Sequence, residues 1–468
     1  MCPVKPLLTP CIHKGGPALW RPLKVGLVIA LIWGSPSGAQ QDGISDTSRS
    51  NQSDQQIIRL EREPAPSRAS LSALARVPEA VQITLLVQDL TTGKVRESQG
   101  SLTPMIPAST TKMITAAAVV ADLQGIGGWW STELTLPRSE VGQSAVSLLT
   151  LQGSGDPTLS LSGEQNSIQL LAQQAAAHGL TRVGQVEVQQ TVDPDSWKEA
   201  VIDTPMTAFM PQEWLAQRPS TVEEMQGAVH HALVAELRAA GITVEDDTPS
   251  ITPLADLSTG TSDTSEGLAS VQSPALARIL AETLRPSDNL LAEELLTSVA
   301  AQPDGTGTLQ AAGERAIRLL EGWGVDTRQL HLADGSGLSR DTRLTARALV
   351  DLLDVMYRTG GTGQTYADPL QVFLQGDNPY AEALAHAGEG EDKYSRGGTL
   401  FARLRGSGLD VRAKTGTLPG VSALSGYVVG QSGHPLAFAV LMNGPEDSPI
   451  LELRAAQDEW VQAIAAQY

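Results

Sequence analysis

The alternation of apolar and polar positions predicts strands at both ends of the chain. Residues 81–90 alternate as a half-buried strand does, residues 91–94 contain a glycine turn, and residues 95–99 can return beside them as a hairpin. Near the other end, residues 423–429 and 436–442 are short apolar runs of the length that strands have. These segments are the most clearly strand-like parts of the sequence.

Helical spacing of apolar residues prevails elsewhere. The helices predicted in this way cover residues 168–177, 221–240, 273–284, 290–301, 309–323, 345–359 and 450–466. Two further strands are predicted at residues 146–151 and 183–188, on either side of the first of these helices. Strands gathered at both ends of the chain, with helices between them, indicate an α+β fold.

A serine and a lysine lie one turn apart at the start of another apolar stretch, residues 113–123. Ser109 and Lys112 are three positions apart, which places both on one face of a helix. A serine hydroxyl is a weak nucleophile, and a desolvated lysine amine is one way to activate it. If Ser109 begins the helix, the positive end of the helix dipole also favours developing negative charge there. The pair predicts a nucleophile with its base, although the same spacing also arises by chance or around a plain N-cap serine.

Two more polar motifs follow in the chain. Ser-Asp-Asn occupies residues 287–289 after a helical stretch, and Lys-Thr-Gly-Thr occupies residues 414–417 before a predicted strand. Alone, the first is typical of a turn and the second of the end of a strand. In the order Ser-x-x-Lys, Ser-Asp-Asn, Lys-Thr-Gly, the three motifs are the signature set of β-lactamases and penicillin-binding proteins.

The chain resembles the larger penicillin-binding-protein-type D-alanyl-D-alanine carboxypeptidases that also act as endopeptidases. The matching segments are Pro-Ala-Ser-Thr-Thr-Lys at 107–112, Gly-Ser-Gly-Asp-Pro-Thr-Leu at 153–159, Ser-Asp-Asn with Ala-Glu at 287–293, Asp-Gly-Ser-Gly-Leu-Ser at 334–339, and Lys-Thr-Gly-Thr-Leu at 414–418 running on to Ser-Gly-Tyr at 425–427. Similarity is traceable from about residue 81 to the C-terminus and is thin between about 191 and 265. One departure is Gly-Gly-Thr-Leu at 397–400, where the family tends to have Asp-Gly-Thr-Leu.

The resemblance implies a β-lactamase/transpeptidase-like catalytic domain, in which an antiparallel sheet is flanked by helices, plus a helical region. The stretch between Lys112 and Ser287 is far longer than a compact β-lactamase needs, and the family inserts accessory domains there. We therefore expect a discontinuous catalytic domain, residues 66–122 and 270–468, with an inserted α/β accessory domain at residues 123–269. Residues 40–65 are predicted to be a disordered leader, since their first part is polar and without periodicity.

The resemblance also implies a site. Five residues are expected to be catalytic, namely Ser109, Lys112, Ser287, Asn289 and Lys414. Three are expected to bind substrate, namely Thr415, Gly416 and Thr417. In the implied mechanism, Ser109 attacks the carbonyl between two D-alanines and becomes acylated, with Lys112 as the favoured base.

The other implied roles concern the leaving group and the substrate backbone. Ser287 would relay a proton to the leaving amine with Lys414 beside it, and Asn289 would hold the substrate amide and orient the base. The hydroxyls of Thr415 and Thr417 would bind the substrate carboxylate. The backbone N–H groups of Ser109 and Thr417 would form the oxyanion hole. Gly416 would leave the strand edge open to the peptide.

The N-terminal segment resembles a secretory signal. Arg21 and Lys24 precede the apolar residues 25–33, and small residues at 37–39 offer a cleavage site. The apolar run is too short to span a bilayer, which needs about 20 residues, so a signal peptide at residues 1–39 is favoured over an uncleaved anchor. Cys2 and Cys11, the two cysteines of the chain, would be removed with it. The mature protein is then expected in the periplasm or cell envelope, soluble after cleavage and without a thiol nucleophile.

The net charge of the chain and the chemistry of its motifs limit the molecules that it is expected to bind. The formal net charge of −19 argues against binding to nucleic acid or to an anionic membrane through charge, and leaves at most a peripheral membrane contact. Peptidoglycan stem peptides are the expected substrates and β-lactam antibiotics the expected covalent inhibitors. No cofactor and no metal are expected.

The expected function is that of a serine D-alanyl-D-alanine carboxypeptidase/endopeptidase that works through an acyl-enzyme at Ser109. A serine β-lactamase is one alternative, but class A enzymes use a glutamate to activate the deacylating water. No Glu-x-x-x-Asn pattern occurs soon after Ser287, where a glycine-rich loop stands instead. The second alternative is an inactive peptidoglycan-binding protein, against which the complete set of polar motifs argues.

Overall fold

The computed structural model describes residues 63–153, 155–189, 192, 194–197, 209, 213, 221–252, 265–301 and 307–468. The predicted signal peptide and residues 40–62 of the predicted leader lie outside the described residues. Glu63, within the last part of that leader, accepts a hydrogen bond from Ser101 Oγ at 3.0 Å and pairs with Arg347. These contacts attach the chain to the fold at Glu63.

The strands are β1 (Gln82–Asp89), β2 (Val95–Gln99), β3 (Ser131–Pro137), β4 (Ala145–Gly153), β5 (Arg182–Gln189), β6 (Thr243–Thr252), β7 (Ser265–Gln272), β8 (Ala385–His386), β9 (Val411–Leu418), β10 (Val421–Val429) and β11 (Pro435–Asn443). The helices are α1 (Arg68–Leu74), α2 (Thr111–Asp122), α3 (Ile168–Ala177), α4 (Val222–Ala239), α5 (Leu276–Leu284), α6 (Asn289–Ala300), α7 (Leu309–Glu321), α8 (Ala346–Thr359), α9 (Pro369–Gln375), α10 (Pro379–Ala383) and α11 (Ile450–Gln467).

The main sheet joins the two ends of the chain. Its strand order is β2-β1-β11-β10-β9-β8, with antiparallel neighbours throughout. Successive side chains of a strand point to opposite faces, and both faces are covered here. Leu85 and Val440 pack with Trp460 of α11, whereas Leu86 and Leu441 belong to a second apolar cluster that includes α2 and α8. The hairpin and the pairing of the two chain ends follow the strand pattern in the sequence.

A second sheet lies within residues 131–272, in the order β6-β5-β4-β3-β7. Strands β4, β5 and β6 are parallel, and β3 pairs antiparallel with both β4 and β7. This sheet falls largely inside the predicted insert, residues 123–269, and its last strand ends three residues beyond. Strands therefore also occur in the middle of the chain, where the sequence indicated only β4 and β5. The α+β class holds, while the division into domains stays a prediction.

Helix α2 carries the residues that follow the predicted nucleophile, and it is buried on all sides. Every residue from Thr111 to Val120 is buried, and α2 packs against α5, α6 and α7. A helix that is apolar all round is typical of the centre of a protein. Tyr380 fixes it further, since its hydroxyl donates to the Met113 carbonyl at 3.1 Å. The start of α2 is thus anchored from several directions.

Candidate active site

Ser109 lies in a short 3-10 turn, Ala108–Thr110, directly before α2. Ala108 has a φ of 47°, a left-handed conformation that L-residues seldom adopt and that persists only when its surroundings impose it. Those surroundings are tight: a Cβ on Gly337 would stand 2.0 Å from the Ala108 carbonyl oxygen. The Thr111 hydroxyl also donates to that carbonyl at 2.8 Å. The turn that presents the Ser109 hydroxyl is therefore held rigidly.

The Lys112 amine contacts the Ser109 hydroxyl. Its Nζ donates to Ser109 Oγ at 3.1 Å, to Asn289 Oδ1 at 2.7 Å and to the Ser336 carbonyl at 2.7 Å, so all three ammonium hydrogens have acceptors. The side chain is 0% exposed. Burial lowers the pKa of Lys112 to about 8, although nearby carboxylates oppose the change. A large fraction of neutral amine is then present in mildly alkaline solution, as a general base requires.

Lys414 forms a second buried lysine contact, with Ser287. Its Nζ donates to Ser287 Oγ at 2.9 Å and to the Thr415 carbonyl at 2.8 Å. Burial, together with the charge of Lys112, holds the pKa of Lys414 well below its usual range. Ser287 has a φ of 62° and precedes Asp288, whose carboxylate caps α6 by accepting from the Leu291 N–H at 2.9 Å. The Ser-Asp-Asn turn is thus fixed by the start of a helix.

Strand β9 brings the Lys-Thr-Gly-Thr segment against the nucleophile turn. A Cβ on Gly416 would lie 2.5 Å from the Pro107 carbonyl oxygen and 3.2 Å from the Ala108 Cβ. Glycine is therefore required for the strand to approach the turn, a steric reason separate from the open strand edge that the resemblance implies. The hydroxyl oxygens of Thr399 and Thr415 are 2.7 Å apart, and Thr417 Oγ1 accepts from Arg454 Nη2 at 3.0 Å.

A groove of about 640 Å³ passes over these groups. Among the predicted site residues, its lining includes Ser109, Ser287, Thr415 and Thr417. Lys112, Asn289, Lys414 and Gly416 join the same cluster through the hydrogen bonds and the close packing given above. The structure therefore brings all eight predicted residues together.

Several side chains around the groove were not predicted from the sequence. Arg454, near the start of α11, lines the groove, as does Arg403, which is paired with Asp458 at 2.7 Å. Behind Lys112, Glu293 is 0% exposed and accepts from two backbone N–H groups of the loop at residues 334–339. The Ala-Glu pair of the matching segments was the one available signal for Glu293, and nothing in the sequence singled out Arg454.

A nucleophilic serine with a buried lysine base, set at the edge of an antiparallel sheet in an α+β fold, defines a class of serine acyl-transfer enzymes. The chain belongs to the D-Ala-D-Ala carboxypeptidase 3 (S13) family, whose profile matches residues 67–212 and 210–464. It is a serine-type peptidase of that family, as the sequence motifs predicted.

Individual relatives agree with this assignment. The chain is 31% identical over 417 residues to carboxypeptidase DacB of Mycolicibacterium smegmatis, covering 84% of each chain. It is 38% identical over 226 residues to a D-alanyl-D-alanine carboxypeptidase of Actinomadura sp. strain R39, covering 48% of this chain and 38% of that one. In fold it is similar to penicillin binding protein 4 from Haemophilus influenzae, with a TM-score of 0.59, 18% identity, and coverage of 84% and 98%. The predicted family and fold class are confirmed.

Two kinds of feature are absent from the residues that the structure describes. In that part of the chain, no helix is both long and apolar enough to cross a membrane. The same residues contain no group of three or more histidine, cysteine, aspartate and glutamate side chains placed to hold a metal ion.

Proposed function

We propose that this enzyme cleaves D-alanyl-D-alanine termini and cross-links of peptidoglycan stem peptides through an acyl-enzyme at Ser109. The observation that carries the proposal is the contact between the buried, readily deprotonated Lys112 amine and Ser109 Oγ at 3.1 Å. In the first step, the Ser109 proton passes to the neutral amine while Oγ attacks the carbonyl of the penultimate D-alanine. The N–H groups of Ser109 and Thr417 are proposed to stabilise the oxyanion.

The leaving amine must gain a proton as the C–N bond breaks. Ser287 Oγ, hydrogen bonded to Lys414 Nζ, is proposed to deliver it, with Lys414 replacing the proton that Ser287 gives up. Asn289 accepts from Lys112 through its Oδ1, which leaves its NH₂ group to donate to the substrate amide carbonyl. A water molecule then hydrolyses the ester to complete the reaction.

The carboxylate next to the scissile bond needs a cationic partner. Thr415 and Thr417 offer hydroxyls, and Arg454 adds a guanidinium that already reaches Thr417 Oγ1 at 3.0 Å. Arg403, on the same groove, is neutralised by Asp458. We therefore assign the carboxylate to the two threonines and Arg454, since charge-assisted hydrogen bonds to carboxylates are the stronger kind.

Replacement of Arg454 by glutamine is expected to raise KM for a D-Ala-D-Ala peptide by about 10–100-fold, the effect of losing one charge-assisted hydrogen bond. Hydrolysis of the same peptide with a C-terminal amide should change little, because that substrate has no carboxylate. Arg403→Gln serves as the matched control and should leave the ratio of the two substrates unchanged. An equal loss for both substrates in Arg454→Gln would argue against this assignment.

β-Lactams are proposed to acylate Ser109 by the same attack on their cyclic amide. The similar penicillin binding protein 4 from Haemophilus influenzae, 19% identical, has also been solved with a β-lactam. In place of the glutamate of class A β-lactamases, residues 334–339 form a loop whose Ser336 carbonyl accepts from Lys112. Slow deacylation of penicillin is then expected, which favours a peptidase over the β-lactamase alternative.

The second sheet and its helices are proposed to control access to the groove in an exported enzyme. The turn that follows β4 packs on α6, the helix that begins at Asn289, since a Cβ on Gly155 would stand 2.9 Å from Ser298 Cα. No predicted catalytic residue comes from residues 123–269. That segment is thus suited to selecting among large cross-linked substrates.

Release of D-alanine from an N-acylated tripeptide ending in D-Ala-D-Ala tests the proposed function. The unaltered enzyme should release D-alanine, and Ser109→Ala should lower the rate at least about 10⁴-fold, as loss of a covalent nucleophile does. Melting temperatures of the two proteins show whether the variant is folded. Substantial release by Ser109→Ala, or hydrolysis of penicillin that outpaces peptide cleavage, would contradict the proposal.

A further inference from the structure

Helix α6 faces the lysine base with two side chains one turn apart. Asn289 and Glu293 are four positions apart and so lie on one face of the helix. Asn289 contacts the Lys112 amine directly, whereas Glu293 reaches the loop at residues 334–339. Its Oε2 accepts from the Gly335 N–H and its Oε1 from the Ser336 N–H, both at 2.9 Å. A single buried carboxylate therefore clamps two consecutive peptide units.

The loop directs two carbonyls at the nucleophile helix, one in the second clamped peptide unit and one in the unit that follows it. The Gly335 carbonyl accepts from Thr115 Oγ1 at 2.7 Å, and the Ser336 carbonyl accepts from Lys112 Nζ at 2.7 Å. The loop has no room to shift towards α6, because a Cβ on Gly335 would lie 2.5 Å from the Ala292 carbonyl oxygen. The direction of the Lys112 amine thus depends on the carbonyl of Ser336, the residue whose N–H Glu293 holds.

We propose that Glu293 is a positioning residue for acylation: its carboxylate holds Ser336 by the N–H, and the carbonyl of Ser336 then aims the Lys112 amine at Ser109. This inference rests on the proposed function, since it assigns Glu293 to the step in which Lys112 acts as base. Two observations support it independently of each other. First, both carboxylate oxygens accept hydrogen bonds from the loop. Second, the side chain is 0% exposed, so the carboxylate lacks the solvation that an acidic side chain normally has.

The charge of Glu293 also acts on Lys112. The charged groups that face Lys112 are Glu293 on α6, Asp288 at the cap of α6, Asp334 on the loop and Lys414 on β9. The three carboxylates raise the pKa of Lys112 against the effect of burial. Burial and Asp334 raise the pKa of Glu293 itself to about 7, so Glu293 is ionised over the range in which Lys112 loses its proton.

The sign of the pH effect follows from these charges. Acylation requires the neutral Lys112 amine, so its rate rises with pH through the pKa of Lys112. Removing the negative charge of Glu293 destabilises the ammonium form and lowers that pKa. The acidic limb of the pH–rate profile must then move to lower pH. A role in packing alone would lower the rate equally at every pH.

The experiment measures the second-order rate constant for acylation of the full enzyme by a fluorescent penicillin between about pH 5.5 and 10. Glu293→Gln should move the acidic limb down by about one pH unit and lower the plateau about tenfold, because one N–H of the clamp then faces an amide NH₂. Glu293→Asp keeps the charge and shortens the reach. Its acidic limb should stay in place while its plateau falls.

Glu294→Gln is the matched control on the same helix. Glu294 is also buried, and burial with the charges of Asp288 and Asp156 raises its pKa well above the usual range, which favours the neutral acid that glutamine resembles. Its pH–rate profile should match that of the unaltered enzyme. A limb that shifts equally in Glu294→Gln would overturn the assignment to Glu293.

The outcomes separate this inference from the proposed function. If the unaltered enzyme is not acylated at any pH, the proposed function fails. If it is acylated, and Glu293→Gln keeps both limb and plateau or loses rate uniformly without a shift, the positioning role is overturned. Circular dichroism shows whether each variant folds. Should Glu293→Gln fail to fold, Glu293→Asp decides, and an unchanged plateau there contradicts the clamp.

Discussion

Replacement of Lys112 by methionine is expected to lower the rate of acylation by penicillin about 10³-fold, within the range that a general base contributes. Methionine fills a similar volume but offers no amine to take the Ser109 proton. It also leaves Asn289 Oδ1 and the Ser336 carbonyl without the donor that they now share. Stopped-flow measurement with a fluorescent penicillin gives the rate, and the melting temperature shows whether the fold is intact.

The same measurement distinguishes the two buried lysines. Lys112→Arg should be nearly as damaging as methionine, because a guanidinium stays protonated and cannot act as a base. Lys414→Arg keeps a hydrogen-bond donor next to Ser287 and leaves Lys112 as the base, so it should retain partial activity. Equal losses in the rate of acylation by penicillin for the two arginine variants would count against this division of roles.

Alanine at position 416 is expected to reduce acylation at least about 100-fold, the effect of displacing a reacting group by about 1 Å. The added Cβ would stand 2.5 Å from the Pro107 carbonyl oxygen and 3.2 Å from the Ala108 Cβ. Either β9 or the turn that presents Ser109 must then move. Overpacking of this kind also destabilises a protein by about 1–3 kcal/mol, which thermal unfolding would show.

Gly127→Ala is a suitable control for Gly416→Ala. A Cβ on Gly127 has no heavy atom within 4 Å, and this variant should acylate at the rate of the unaltered enzyme. If Gly416→Ala acylated as fast as Gly127→Ala, the approach of β9 to the nucleophile turn would not matter for catalysis.

The sequence predicted the helices and strands in which buried apolar residues recur at regular intervals. In the main sheet, alternate residues of β1 face α11 or the helical region, so the hairpin at residues 82–99 follows the apolar pattern. The edge strands of the second sheet lack such a pattern. Strand β6 (TVEDDTPSIT) carries three acidic residues and a proline, and β7 (SEGLASVQ) contains a glycine. These segments are strands because their backbone groups pair with a single neighbouring strand. Such pairing does not require a pattern of apolar side chains in the sequence.

The candidate site was predictable where side chains do the chemistry. The three motifs contain the serines, lysines and threonines that lie together at the groove. They are recognisable in the sequence because the reaction requires these functional groups at fixed positions within each motif. The Ser336 carbonyl was not predictable, since every residue has a carbonyl and tertiary structure alone places this one at Lys112. Arg454 was missed for a related reason: its partner, Thr417, lies in another element of the fold.

Intact-protein mass spectrometry after incubation with penicillin tests the acyl-enzyme at Ser109 most directly. The unaltered enzyme should gain the mass of one penicillin molecule, and peptide mapping should place it on the peptide that contains Ser109. Ser109→Ala, folded to the same melting temperature, should gain none. Labelling that persists in Ser109→Ala, or that maps to a peptide without Ser109, would contradict the account.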